Sequence, residues 1–139
     1  MRALGIIVIV CAIAVAGISQ AFNCQAEGKY MKTASGMNTP MRCFYTAEAE
    51  LATAGTLLVV GGFMLFAKRK ENQRTLAGIG SALGVFTILL PTALIGVCTT
   101  MTADCNQIVQ PALILLGAVV TVGCLGSLVL IQRQQEQLA

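Results

Sequence analysis

Histidine is absent from this chain of 139 residues, and charge is scarce. Without imidazole, the chain lacks the usual general base, the commonest metal ligand and every Ser-His or Cys-His constellation for nucleophilic catalysis. Only 11% of the residues are charged, against roughly 25% in an average globular domain. These polar residues are too few and too clustered to coat a soluble domain of this length. No Cys-x-x-Cys pair is present to tune a thiolate, which argues against redox catalysis. Net charge is only +3, and the basic residues gather at one side of the apolar segments. That pattern disfavours a nucleic-acid partner and is the common mark of loops beside membrane spans.

What the chain has instead is apolar length. Hydrophobic residues make up 56% of it, and mean hydropathy is +0.79. The sequence is organised around Lys68-Arg69-Lys70-Glu71-Asn72-Gln73-Arg74, its one charge-dense run. Each half around that run is an apolar segment, a polar loop with two cysteines, and a second apolar segment. The expected spans are 3–22, 46–67, 75–97 and 108–131. A run of about 20 residues at about 1.5 Å each just crosses a hydrocarbon core of roughly 30 Å. Arg2 and Ser19-Gln20-Ala21 together resemble a cleaved signal peptide, but the apolar core is longer than the roughly 7–15 residues usual there. A retained first span is therefore expected. Thr39-Pro40 reads as the start of the second helix, ahead of the membrane. Pro91 lies inside the third span and predicts a kink.

Cations set the expected orientation. Arg2, Lys68, Arg69, Lys70, Arg74 and Arg133 lie at the amino end, the central loop 68–74 and the tail. The outer loops, 23–45 and 98–107, carry only Lys29, Lys32 and Arg42. By the positive-inside rule both termini and the central loop are cytoplasmic. The fold class is then all-α: a polytopic membrane protein forming one integral domain over residues 1–139. It is a four-transmembrane-helix bundle of two in–out–in hairpins, placed in the cell membrane. Cys43 precedes Gly55 by the interval that separates Cys105 from Gly117, a faint parallel repeat.

Cys24, Cys43, Cys98 and Cys105 lie in the outward loops, where oxidising conditions favour disulfides. Four cysteines allow three pairings. One bond per hairpin, Cys24–Cys43 with Cys98–Cys105, is favoured. Cys24–Cys98 with Cys43–Cys105 would instead staple the hairpins together. A soft-metal or haem-type alternative uses Met41, Cys43, Met101 and Cys105, since thioether and thiolate select Cu(I). Within the spans, Gly80 and Gly84 lie four apart, a spacing that admits a close helix neighbour. Glu50 is the deepest carboxylate. It shares a helical face with Cys43 and Ala47 and is expected to meet another span or a partner. Glu48, turned about 140° from Cys43 at roughly 100° per residue, is expected to face headgroups or water.

The stretch opening the second span, Met41-Arg42-Cys43-Phe44-Tyr45-Thr46-Ala47-Glu48-Ala49-Glu50, resembles the signature of a family of small four-span prokaryotic membrane proteins, domain of unknown function 4418. Met41, Cys43, Tyr45, Thr46 and Ala47 match its Met-x-Cys, aromatic, Thr and small-residue pattern. Phe44 stands where that pattern has histidine, which puts any role resting on the imidazole in question. The resemblance extends to the four-span layout and the paired loop cysteines. It implies no established activity, and by analogy it suggests an accessory subunit beside membrane transporters, including ATP-driven export permeases. The expectation is therefore a non-enzymatic accessory or interaction subunit without cofactor. Its partners would be the lipid bilayer and a transporter subunit or a second copy. A membrane thiol–disulfide exchanger is the enzymatic alternative.

Overall fold

A computed structural model of the chain describes residues 2–22, 28, 31–40, 42–96 and 105–136. Four long helices dominate it: α1 Arg2–Ala21, α2 Arg42–Phe66, α3 Lys70–Leu89 and α4 Gln110–Glu136. Two π-helical turns flank the second cysteine loop. One, Leu90–Leu94, extends α3, and the other, Cys105–Val109, leads into α4. A two-residue antiparallel pair, β1 Met31–Lys32 with β2 Asn38–Thr39, precedes α2.

Inward residues recur at intervals of three and four on each helix, as burial of one helical face requires. On α1 they are Gly5, Val8, Cys11, Ala12, Val15 and Ser19. On α2 the row runs from Cys43 through Thr46, Ala47, Glu50, Ala54 and Leu57 to Met64. The outer faces are just as apolar. Ile6, Val10, Phe63, Phe66, Leu115 and Val122 are all more than half exposed or nearly so. A soluble protein rarely exposes such contiguous apolar surface, whereas in lipid it is the required exterior. Four helical segments, Arg2–Ala21, Arg42–Phe66, Lys70–Leu94 and Asn106–Gln134, are long and apolar enough to cross a bilayer. The chain is an all-α membrane protein.

The main packing pairs are α1 with α2 and α3 with α4, with α2–α3 and α1–α4 contacts closing the bundle. One apolar cluster joins Val8, Leu57, Val60, Met64, Ala77, Val120 and Cys124. A second, toward the other end, joins Val15, Ala54, Val109 and Leu113.

The structure moves several expected boundaries. The second helix begins at Arg42, because Asn38 and Thr39 pair with Lys32 and Met31 instead of capping it. Gly36 closes that hairpin at φ 78°, with its N–H donating to the Thr33 carbonyl. A residue with a Cβ would be strained there. Most of the basic run is helical, since α3 starts at Lys70 and only Ala67–Arg69 form the link. Gln73 Nε2 donates back to the Ala67 carbonyl at 2.8 Å and so caps the end of α2. At Pro91 the third span shifts to a wider π turn rather than only bending. The tail expected beyond 131 continues α4 to Glu136.

Candidate functional site

The polar interior of the bundle is small and specific. Among the described residues, the buried polar side chains are Ser19, Thr46, Glu50, Thr53 and Thr87. Glu50 is 0% exposed, and neither of its carboxyl oxygens has a hydrogen-bond partner. Leaving such a group unpaired in a protein interior is costly, and in native folds it calls for an explanation.

Position along α2 decides what surrounds it. Glu50 lies one turn after Thr46 and one turn before Ala54 on the inward face. Ala54 packs with Val15, Val109 and Leu113, so α1 and α4 close the space on that side. Toward α3, two points fix the alignment. A Cβ at Gly80 would lie 3.4 Å from Met64 Cε and 3.9 Å from Val60, and Thr46 Oγ1 donates to the Gly96 carbonyl at 2.8 Å. Between those points α3 and its π turn run antiparallel to α2 nearly residue for residue. Glu50 thus stands at the level of the Leu90–Leu94 turn, whose Leu90 and Pro91 are buried and which α2 contacts directly.

That turn is irregular for a covalent reason. Pro91 has no N–H to give to the carbonyl four residues back, that of Thr87. The chain widens, and the N–H groups of Ile95 and Gly96 both donate to the Leu90 carbonyl, at 3.1 and 3.2 Å. Gly96 then ends the segment at φ 78°, the left-handed closure for which glycine is preferred. Thr46 ties this closure to α2.

The glycines lie at helix crossings. A Cβ at Gly84 would sit 2.5 Å from Thr121 Oγ1 and 3.0 Å from the Gly117 carbonyl oxygen. One at Gly117 would sit 2.8 Å from the Gly84 carbonyl oxygen. Gly80 lies against Cys124 Sγ, at 2.9 Å from the same hypothetical atom. The structure therefore places Gly80 and Gly84 against α4 of the same bundle. The equivalent crossing in the first hairpin is Gly5 with Gly61, which sequence reading did not single out. A Cβ at Gly5 would meet the Gly61 carbonyl oxygen at 3.1 Å. Small residues at inward positions of both helices are the signal for such a seam.

The other candidates are less completely placed. Cys43 is buried on the inward face of α2. Cys24, Met41, Cys98 and Met101, together with the Cys105 side chain, lie outside the described residues, and so do the disulfide pairings and the metal alternative that need them. Among the described residues, no three His, Cys, Asp or Glu side chains gather as a metal cluster would require. Glu48 is exposed. Phe44 and Tyr45 meet edge to face at 5.7 Å between ring centres.

The four buried hydroxyls also escaped sequence reading. The signal was available in part: Thr46 and Thr53 fall on the same face as Glu50. No curated protein and no solved structure matches the chain. A family model does match, over residues 4–130, and so covers α2 and α3 whole and most of α1 and α4. By that match the chain belongs to the family described as a domain of unknown function, DUF4418.

Proposed function

We propose that this protein is a non-enzymatic accessory subunit of a larger assembly in the cell membrane, such as a transporter. In this reading it consists of two in–out–in hairpins. Both termini and the basic junction are cytoplasmic, and the cysteine loops face outward, with Cys24, Cys43, Cys98 and Cys105 in disulfides. The excess of cations at one end of the spans supports the orientation.

The observation that carries the subunit role is a groove of about 540 Å³ on the outside of the bundle. It lies between α2 and α3 and is lined by Ala52, Gly55, Thr56, Val59, Ile79 and Leu83. Gly55 is exposed, and a Cβ there would meet nothing within 4 Å. The inward face of α2 already uses Gly61 to seat α1. A second bare-backbone strip on the opposite side, at Ala52 and Gly55, offers a seat for one more helix. Association in lipid relies on such close approach, because hydrophobicity gives no drive between helices there. The occupant is a transmembrane helix of the partner subunit.

Gly55→Leu fills the groove without touching the bundle's own seams. Wild-type and variant protein are extracted from native membranes in mild detergent and their companions quantified. The expected result is loss of a companion membrane protein from the variant, with unchanged thermal stability. Equal recovery of the same companions from both would overturn the reading. Recovery of a differently tagged second copy, lost in the variant, would replace the foreign subunit with a homo-oligomer.

A further inference from the structure

We propose that Glu50 is an intramembrane proton-binding site, reached from the end of the bundle where Thr46 holds Gly96. This assignment does not depend on the external groove.

The argument lies in the direction of the surrounding hydrogen bonds. A hydroxyl has one proton to donate and two lone pairs to accept with. Each buried hydroxyl of the described core gives its proton to a backbone carbonyl. Ser19 donates to Val15, Thr46 to Gly96 at 2.8 Å, Thr53 to Ala49 at 2.9 Å and Thr87 to Leu83 at 3.0 Å. What remains on these oxygens is acceptor capacity. A carboxylate accepts only, and this interior has no hydroxyl proton left for it. A protonated carboxyl carries one donor, and the same interior can receive it.

Among the described residues, no counter-charge faces the group. Along the elements packed around it, α1 presents Val15, Ser19 and the Gln20 amide, which donates to the Ala47 carbonyl; the Leu90–Leu94 turn presents Leu90 and Pro91, the Cys105–Val109 turn presents Val109, and α4 presents Leu113. Among the described residues, the other side chains on inward faces that could titrate are cysteines, none of them a cation. Cys43 lies two turns away on α2, and Cys11 and Cys124 lie in the apolar cluster at the far end. Among the described residues no Lys or Arg is buried. An unpaired charge in such a place is strongly disfavoured, which is why ionisable groups within membrane spans mark proton or ion sites.

Access is one-sided. Glu50 is eight residues into α2, about 12 Å along the axis from Arg42. Beyond it, toward the basic end, Leu57, Val60, Met64, Val8 and Val120 fill the bundle. Toward the cysteine loops the described part of α2 is shorter: two turns, carrying the buried Ala47, Thr46 and Cys43, lead from Glu50 to the helix start at Arg42. The closure there is a π turn and a glycine, the least regular backbone in the described spans. Opening of that latch admits water to the carboxyl, and the proton leaves to that water.

Infrared spectroscopy of the full chain in phosphatidylcholine vesicles tests this, with deuterated water as the probe of access. At neutral pH a carbonyl-stretch band of a protonated carboxyl is expected, shifted by deuterium exchange. It should be lost in Glu50→Gln, retained in Glu48→Gln, and reversibly reduced as pH is raised. Glu50→Asp should shift the band, which covers the case in which the Gln variant fails to assemble. A spectrum with no protonated carboxyl at neutral or acid pH would overturn the proposal. So would a Glu50 band that neither exchanges with deuterium nor responds to pH, because that would make it a static structural acid.

Discussion

Gly84 offers the sharpest test of how the bundle is held together. A methyl group added there would lie 2.5 Å from Thr121 Oγ1, 3.0 Å from the Gly117 carbonyl oxygen and 3.0 Å from the Thr121 backbone nitrogen. Two of those three neighbours are backbone, which cannot turn aside as a side chain can. Relief requires α3 and α4 to separate, and inserting such a group into a packed core costs about 1–3 kcal/mol. Gly78, on the same helix, has nothing within 4 Å of its hypothetical Cβ. Gly78→Ala should therefore keep only the helix-propensity gain of roughly 0.5–1 kcal/mol. Thermal unfolding of the purified protein in one detergent, followed by circular dichroism, compares the two. Gly84→Ala should melt several degrees below wild type, the scale expected for about 1–3 kcal/mol in a chain of this size. Gly78→Ala should melt at or above wild type. Adding Thr121→Ala to Gly84→Ala removes the nearest atom but leaves both backbone contacts, so recovery should be partial. Equal melting of the two single variants would refute the crossing, and complete recovery in the double variant would assign the clash to the Thr121 side chain alone.

Two further outcomes are expected. A reporter active only in the cytoplasm should work when fused after Lys70 or at Ala139 and fail near Gly36 or Thr102; activity at Gly36 would reverse the orientation drawn from the cations. Because Cys43 is buried, the test uses denatured protein: Cys24, Cys43, Cys98 and Cys105 should resist a maleimide until a reductant is added, and each single replacement should free one partner thiol. Labelling of Cys24, Cys43, Cys98 and Cys105 without reductant would remove the disulfides from the reading.

The four spans were legible because a run such as Ala3–Phe22 has a length and composition that only a bilayer or a large core satisfies. The start of α3 was not. Lys70, Glu71, Gln73 and Arg74 read as a loop because they are charged or polar, yet Lys, Glu, Gln and Arg are among the better helix formers. No side-chain cap at Arg69 marks the boundary. The Asn38–Thr39 pairing was hidden for the opposite reason: two residues are too short to show an alternating pattern. The inward direction of Glu50 followed from the spacing of Cys43, Ala47 and Glu50 alone. Its surroundings did not, because Ser19, Thr46 and Thr87 come from three helices. Which of them share a level depends on interhelix alignment, and a single sequence does not encode that as a local signal.

That alignment divides the bundle into unlike halves. Toward the basic end, Gly5 meets Gly61, Gly80 meets Cys124, and the core between them is apolar. Local preference and packing agree there. Toward the cysteine loops the rules are broken together. A carboxyl is buried without a partner, and Pro91 interrupts a span. Two π turns replace regular helix, and π turns within helices concentrate at functional sites. Each departure costs stability, and none is needed for a helix able to span a membrane, since α1 is long and apolar enough without any of them. Departures that gather in one place are where a fold carries its activity. The tight glycine seams at the basic end supply the rigidity against which the Leu90–Gly96 segment can move. A change at Gly84 should therefore loosen the whole bundle, whereas a change at Thr46 should alter access to Glu50 and leave the seams in place.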